Sequence, residues 1–248
     1  MTTNDTKQPA SKKVIVIAVT GTPPPKALKI YGDFGQWIPS EHDNQASSNF
    51  CVVDTTQTSS FPEPKHVAGV IITGSPAMVT AREPWSLQVE TWITHLTDQH
   101  IPILGICYGH QLLAQALGGK VDFHPLGREI GTVPIELTEH SRHDPLFSQS
   151  PSQFYANVTH AQSVVELPPN SVLIGKNDYE PIQAFRFKDN VWGVQFHPEF
   201  TADIMRFYIF ERFDSLEEQG LDIKVLFDNI QTTPDSRAVL DNFITLCL

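Results

Sequence analysis

An α/β fold, with a mostly parallel central sheet flanked by helices and extended by added antiparallel strands, is what three features of the sequence predict. Short continuous runs of β-branched apolar residues recur through the first half, as strands buried on both faces of a parallel sheet require. Segments with apolar residues at helical spacing alternate with those runs, which is the pattern of βαβ units. After Gly119 the long helices stop, and short strand-like pieces follow one another between Pro, Asn and Asp turns, reading as antiparallel additions.

The first strand is expected at Val14–Val19 (VIVIAV), with further buried strands at 50–53 (FCVV), 69–73 (GVIIT) and 101–106 (IPILGI). Between the last two lies a crossover helix over 84–99. Pro84 suits its first position, and Trp85, Val89, Trp92, Ile93 and Leu96 share one face. Residues 111–117 (QLLAQAL) read as a helix closing on Gly118 and Gly119. The strand-like pieces that follow are 132–137, 171–174, 182–187 and 191–196. Helices resume near Ala202, where Ile204, Tyr208 and Ile209 recur at helical spacing, and again over 235–246 behind Pro234, with Val239, Leu240, Phe243 and Leu246 on one stripe. The polar stretch PSEHDNQASSN, within residues 33–66, reads as a surface loop between the first two strands. With no repeat and no long linker, one domain is expected over 13–218. Residues 1–12 form a flexible lead-in, and 219–248 a C-terminal helical extension packed on the same domain.

Composition narrows the function classes. Seventeen Lys and Arg against twenty-eight Asp and Glu give a net charge of −11, which repels nucleic acid, and no basic patch offsets it. The apolar runs are far shorter than the ~20 residues of a membrane span, and the polar N-terminus is no secretory signal, so no membrane partner and a cytoplasmic location are expected. Three cysteines without C-x-x-C spacing, and ten histidines without H-E-x-x-H, give no disulfide framework and no metal site.

The sharpest chemical feature is Gly105-Ile106-Cys107-Tyr108-Gly109-His110-Gln111, directly after an apolar strand and before a helix. A tight strand-to-helix turn projects a nucleophile from the sheet, glycines two residues to either side relieve its backbone, and the helix N-terminus favours thiolate. A thiolate nucleophile needs a histidine to move protons and a third group to orient it. Phe196-His197-Pro198-Glu199 offers both, because residues two apart on an extended segment project to one side. Taken singly, each motif also has a bland explanation: a buried cysteine in a glycine-rich turn, and an ordinary strand exit.

Together, GICYGHQ and VQFHPE resemble the class I, or triad, glutamine amidotransferases, nearest the stand-alone branch similar to the glutaminase domain of GMP synthase and to γ-glutamyl peptidases. The resemblance runs from about Val14 to Phe213 and includes the segments ITGSP (72–76), REIG (128–131) and THAQSV (159–164). It implies a flavodoxin-like fold with Cys107 as nucleophile, His197 as general base and acid, and Glu199 orienting His197. It further implies an oxyanion hole from the backbone N–H groups of Tyr108 and Gly74, and Gln111 against the bound glutamine. His160 becomes a site-wall residue, although Thr-His-Ala-Gln stands where the branch has Ser-His-x-Asp, leaving no acid for the substrate amine. Ser75 and Pro76 read as turn formers, Arg128 and Glu129 as an ion pair bracing a loop, and Cys51 and Cys247 as packing residues.

The expected chemistry uses no cofactor and no metal: Cys107 forms a γ-glutamyl thioester and releases ammonia or an amine. A glutaminase feeding an aminating partner is one function compatible with it. Neither G-x-x-x-x-G-K nor an ATP-pyrophosphatase motif is present, so a synthetase or amination subunit would be a separate chain. A stand-alone γ-glutamyl peptide or amide hydrolase is a second, and a non-catalytic binding protein on the same fold a third.

Overall fold

The computed structural model describes residues 12–39 and 49–248. The expected lead-in, apart from residue 12, and all but the two ends of the polar stretch 39–49 lie outside the described residues.

In chain order the strands of the first half are β1 (Val14–Val19), β2 (Phe50–Asp54), β3 (Val67–Ile72), β4 (Ile103–Ile106) and β5 (Lys120–Phe123). Those of the second half are β6 (Glu129–Leu137), β7 (Gln153–His160), β8 (Gln162–Glu166), β9 (Ser171–Lys176), β10 (Ala184–Phe187) and β11 (Val191–Val194). Nine of them form one sheet in the order β2-β1-β3-β4-β11-β10-β9-β6-β7, while β5 and β8 pair separately. The pairings from β2 through β11 are parallel and those from β11 through β7 antiparallel, the mixed sheet the sequence predicts.

Alternation along β1 explains the layering. Ile15, Ile17 and Val19 point to one face, where Val239, Leu240 and Phe243 of helix α8 (Pro234–Cys247) cover them. Val16 and Ala18 point to the other, under Val89, Ile93 and Leu96 of α3 (Pro84–Asp98) and Leu112 and Leu113 of α4 (Tyr108–Ala116). Burying one such side chain contributes about 1.5–3 kcal/mol. A third cluster joins the short helices α1 (Pro25–Tyr31) and α2 (Phe34–Trp37) to α5 (Ala202–Glu211) through Phe34, Trp37, Phe200, Ile204 and Tyr208. Thr201 caps α5 by accepting the Ile204 N–H at 3.2 Å. The helices α6 (Phe213–Glu218) and α7 (Ile223–Asp228) follow.

Several expectations need correction. The sequence reading omits β5, β7 and β8, and it assigns no helix to α1 or to α2, whose Phe34 and Trp37 are buried. β7 is missed because its core-facing Phe154, Ala156 and Val158 alternate with Tyr155, Asn157 and Thr159, so it lacks the apolar run of the central strands. Among the described residues no helix is long and apolar enough to cross a membrane.

Phe243 fills the contact between α8 and the sheet, with its ring edge-on to Trp192 at 6.2 Å. Phe243→Ala is expected to cost about 3–5 kcal/mol in urea unfolding. A loss below about 1 kcal/mol would show that α8 contributes little to the core.

Candidate active site

The turn between β4 and α4 consists of Cys107 alone, at φ 50° and ψ −99°. A non-glycine residue held there costs roughly 1–3 kcal/mol and persists only where its surroundings fix it. The Cys107 N–H donates to Val194 O at 2.8 Å, and Cys107 O accepts the Gln111 N–H at 3.1 Å. The flanking glycines are required by close backbone approach. A Cβ at Gly105 would lie 2.4 Å from Gly109 O, and one at Gly109 would lie 2.4 Å from Ile72 O. The turn is therefore wedged between two strands, with Cys107 buried and its sulfur 3.8 Å from Thr159 O.

Ninety residues later the chain reaches the same edge, because β11 pairs with β4 and places Val194 opposite Ile106. The strand ends there. The His197 N–H donates to Asn157 O at 2.8 Å, and the Asn157 side-chain amide donates to Phe200 O at 3.1 Å, so β7 holds the His-Pro-Glu segment at both ends. Within it, His197 Nδ1 lies 2.7 Å from Glu199 Oε1, and the ring stacks on Phe200 with centroids 4.0 Å apart. His197 Nε2 is buried and makes no hydrogen bond among the described residues. A Cβ built on Gly74 would be 2.9 Å from His197 Cε1 and 3.8 Å from Cys107 Cβ, so cysteine and histidine flank one point and only a glycine fits beside them.

Burial opposes a charged imidazole, but the Glu199 carboxylate and the Cys107 sulfur outweigh it and push His197 up to about 10. His110, packed under the sheet with no such partner, goes the other way: burial pushes it down to about 3, leaving it neutral.

The remaining predicted residues line the same pocket, except Gly74, which borders it. Neither the Tyr108 N–H, at the start of α4, nor the Gly74 N–H, beyond the end of β3, has an acceptor among the described residues. Ser75 Oγ donates to Thr20 O at 2.6 Å and accepts the Ala77 N–H at 3.1 Å, forming the turn expected of it. Gln111 reaches the pocket, but its side-chain amide already donates to Gln162 O at 2.7 Å and Gln195 Oε1 at 2.9 Å. His160 is a buried wall residue, its Nε2 2.8 Å from Glu129 Oε2 and its Nδ1 2.9 Å from Gln162 O.

The Arg128–Glu129 ion pair does not form. Glu129 is buried and also accepts from Asn177 at 2.7 Å and Gln183 at 2.8 Å, while Arg128 lines the pocket. Neighbouring residues on extended backbone point to opposite faces, so sequence adjacency works against their contact. Asn157, Tyr208 and Arg212 are missed by the sequence reading. Asn157 lies in the unrecognised β7; Tyr208 appears only as one helical-face residue among several, and Arg212 carries no signal at all. Cys247 packs against Gly69, and burial pushes its thiol up to about 12; Cys51 is partly buried on β2. Among the described residues no group of three or more His, Cys, Asp or Glu could hold a metal ion.

The chain belongs to a recognised family. Residues 38–215 match the family described as glutamine amidotransferase class-I, so the chain is a member of it. It is 31% identical over 170 residues to a glutamine-hydrolyzing GMP synthase subunit from Methanopyrus kandleri, covering 68% of this chain and 85% of that one. Gamma-glutamyl peptidase 4 of Arabidopsis thaliana is 31% identical over 186 residues, 72% of each chain. Against the longer glutamine-hydrolyzing GMP synthases, the matched part spans about a quarter of their length, 24–27%. A solved glutamine amidotransferase from Thermotoga maritima shares the fold, with a TM-score of 0.73 at 22% identity over 94% of this chain and 96% of that one.

Two outcomes are expected. Gly105→Ala should destabilise the fold by about 1–3 kcal/mol in chemical denaturation, because backbone rather than a flexible side chain must yield. A neutral effect would contradict the wedge. Second, NMR titration of His197 should find its imidazolium persisting towards pH 10, whereas in Glu199→Gln it should titrate well below that. An unchanged titration would remove Glu199 as the cause. Since the folded value lies above the ordinary 6.5 of an unfolded histidine, the pair stabilises fully below about pH 6.5 and its contribution fades as pH rises towards 10.

Proposed function

We propose that the protein is a cysteine-nucleophile amidohydrolase of the glutaminase type, acting on the side-chain amide of glutamine or the γ-amide of a γ-glutamyl compound. The observation that carries this is the buried His197–Glu199 pair at 2.7 Å, its Nε2 open, in one pocket with a cysteine held at a helix start. Residues 13–218 form the catalytic domain in this reading, with 219–248 a helical extension on it.

Cys107 acts as thiolate with His197 as imidazolium, the ionisation that the raised imidazole favours. The sulfur attacks the amide carbon, and the oxygen, taking up negative charge, is received by the N–H groups of Tyr108 and Gly74. One such donor is worth about 3–4 kcal/mol in the transition state. His197 gives its proton to the leaving nitrogen, the C–N bond breaks, and ammonia or an amine departs from a γ-glutamyl thioester. Neutral His197 then takes a proton from water as the new C–O bond forms. The C–S bond breaks, glutamate leaves, and the thiolate–imidazolium pair is restored. Glu199 holds Nδ1–H throughout, keeping Nε2 as the working nitrogen.

The relative named as part of a GMP synthase supports a glutaminase that hands ammonia to a separate synthetase, and the one named a peptidase supports a hydrolase working alone. Ammonia and glutamate release from glutamine, beside amine release from γ-glutamyl compounds, tests both. Cys107→Ala and His197→Ala should each lower kcat on the order of 10⁶-fold, with the double variant little worse, while far-UV dichroism stays unchanged. A Cys107→Ala protein that still released ammonia would overturn the assignment.

A further inference from the structure

The pocket around Cys107 is cationic in a chain whose net charge is −11. Arg128, just before β6, and Arg212, just after α5, both line it, and no Asp or Glu does. The two nearby carboxylates lie behind the wall, Glu129 bound to His160 and Glu199 to His197. Among the described residues neither guanidinium has a salt bridge or a side-chain hydrogen bond. Arg212 rests on the face of Tyr208, 5.0 Å from its centroid, and the adjacent Glu211 is taken by Lys26 at 2.9 Å. Both arginines are half-buried. Burial pulls both guanidiniums down from their ordinary value, and for Arg128 the charge of Arg212 adds to the pull.

The Cys107 sulfur eases Arg128, but in the proposed reading its charge is balanced by the His197 imidazolium, and two partly desolvated like charges with no carboxylate partner are unfavourable unless a ligand supplies the opposite charge. Guanidinium is suited to that task, because its planar fork matches a carboxylate in two parallel hydrogen bonds. Charge balance then identifies the ligand. Glutamine brings one carboxylate and one ammonium, so it would leave one guanidinium unmatched; the ammonium is common to every γ-glutamyl compound and does not discriminate among them. A γ-glutamyl amide whose released amine carries its own carboxylate brings two anionic groups for the two arginines. The cavity itself is small, about 100 Å³, and opens to solvent, so a ligand of dipeptide size would extend out through its mouth.

We infer that Arg128 and Arg212 form a carboxylate subsite that selects dicarboxylate γ-glutamyl amides, those of amino acids or peptides, over glutamine and over γ-glutamyl alkylamides. The inference rests on the proposed amide hydrolysis for its turnover, and on the pocket's charge for its selectivity. The test compares γ-glutamylglycine, γ-glutamyl ethylamide and glutamine as substrates of the wild-type protein and of Arg128→Gln and Arg212→Gln. Wild type should favour γ-glutamylglycine over the ethylamide by roughly 10- to 100-fold in kcat/KM, the worth of a hydrogen-bonded charge pair. In each variant that ratio should fall towards one, the loss lying mainly in KM for γ-glutamylglycine. Equal turnover of the two amides by wild type would overturn the inference without recourse to any variant, as would variants that weaken both amides alike. Calorimetric binding of the same amides to Cys107→Ala separates this inference from the proposed function. Tighter binding of γ-glutamylglycine that disappears with the arginines sustains the subsite even if no amide is hydrolysed, and absence of that preference sinks it even if hydrolysis is found.

Discussion

The hydrogen bond from the Cys107 amide to the Val194 carbonyl is the constraint on which the site depends. At 2.8 Å it continues the parallel β4–β11 ladder one residue beyond the last strand pair and stops there. Beyond it both chains must leave the sheet, one into α4 and the other into the His-Pro-Glu segment. Proline at position 198 could not have extended a ladder. The reactive groups are therefore placed by where pairing ends, on the rim formed by the C-terminal ends of the parallel strands. Open α/β sheets bind their ligands on that side. The positive φ at Cys107 is a consequence: the turn has one residue in which to reverse, and Gly105 and Gly109 let the backbones close on each other while it does so.

A second consequence concerns β7. It lies at the far edge of the sheet, yet its Asn157 carbonyl and side chain grip His197 and Phe200. Thr132 on β6 donates to Asn157 Oδ1 at 2.8 Å, so the antiparallel half orients the imidazole that the parallel half cannot reach. The added strands are thus a support for the site and more than an extension of the core.

The central strands and the two motifs were legible because their signals are local. VIVIAV and the run before Cys107 are apolar on both faces, and GICYGHQ and FHPE each place their chemistry within a few residues. What escaped the sequence lacked such a signal. β7 pairs only with the preceding strand β6 and lies at the edge of the sheet, so it lacks the continuous apolar run of a central strand, and its alternating pattern matches that of many loops. Arg128 and Glu129 look like a pair because they are adjacent, although adjacency on extended backbone separates them. Arg212 lies outside every motif. Only the packing of α5, with Tyr208 beneath it, brings that guanidinium to the pocket wall.

Two buried histidines, each bonded to a carboxylate behind it, line one pocket, and the difference between them separates chemistry from architecture. His160 has both ring nitrogens committed, to Glu129 and to the Gln162 carbonyl, and Glu129 is further held by Asn177 and Gln183. Such a network is closed: every polar atom of the ring is already engaged in a buried hydrogen bond. His197 has one nitrogen on Glu199 and the other free beside Cys107. An unpaired buried nitrogen costs stability, of order 1–3 kcal/mol. An orphaned nitrogen is not by itself a sign of chemistry, since both ring nitrogens of His110 are also buried and unpaired; what sets His197 apart is that its free nitrogen shares a cleft with the Cys107 sulfur. The same residue types thus build a wall in one place and, in the proposed reading, a proton carrier in the other, distinguished by a free nitrogen that shares its cleft with the cysteine.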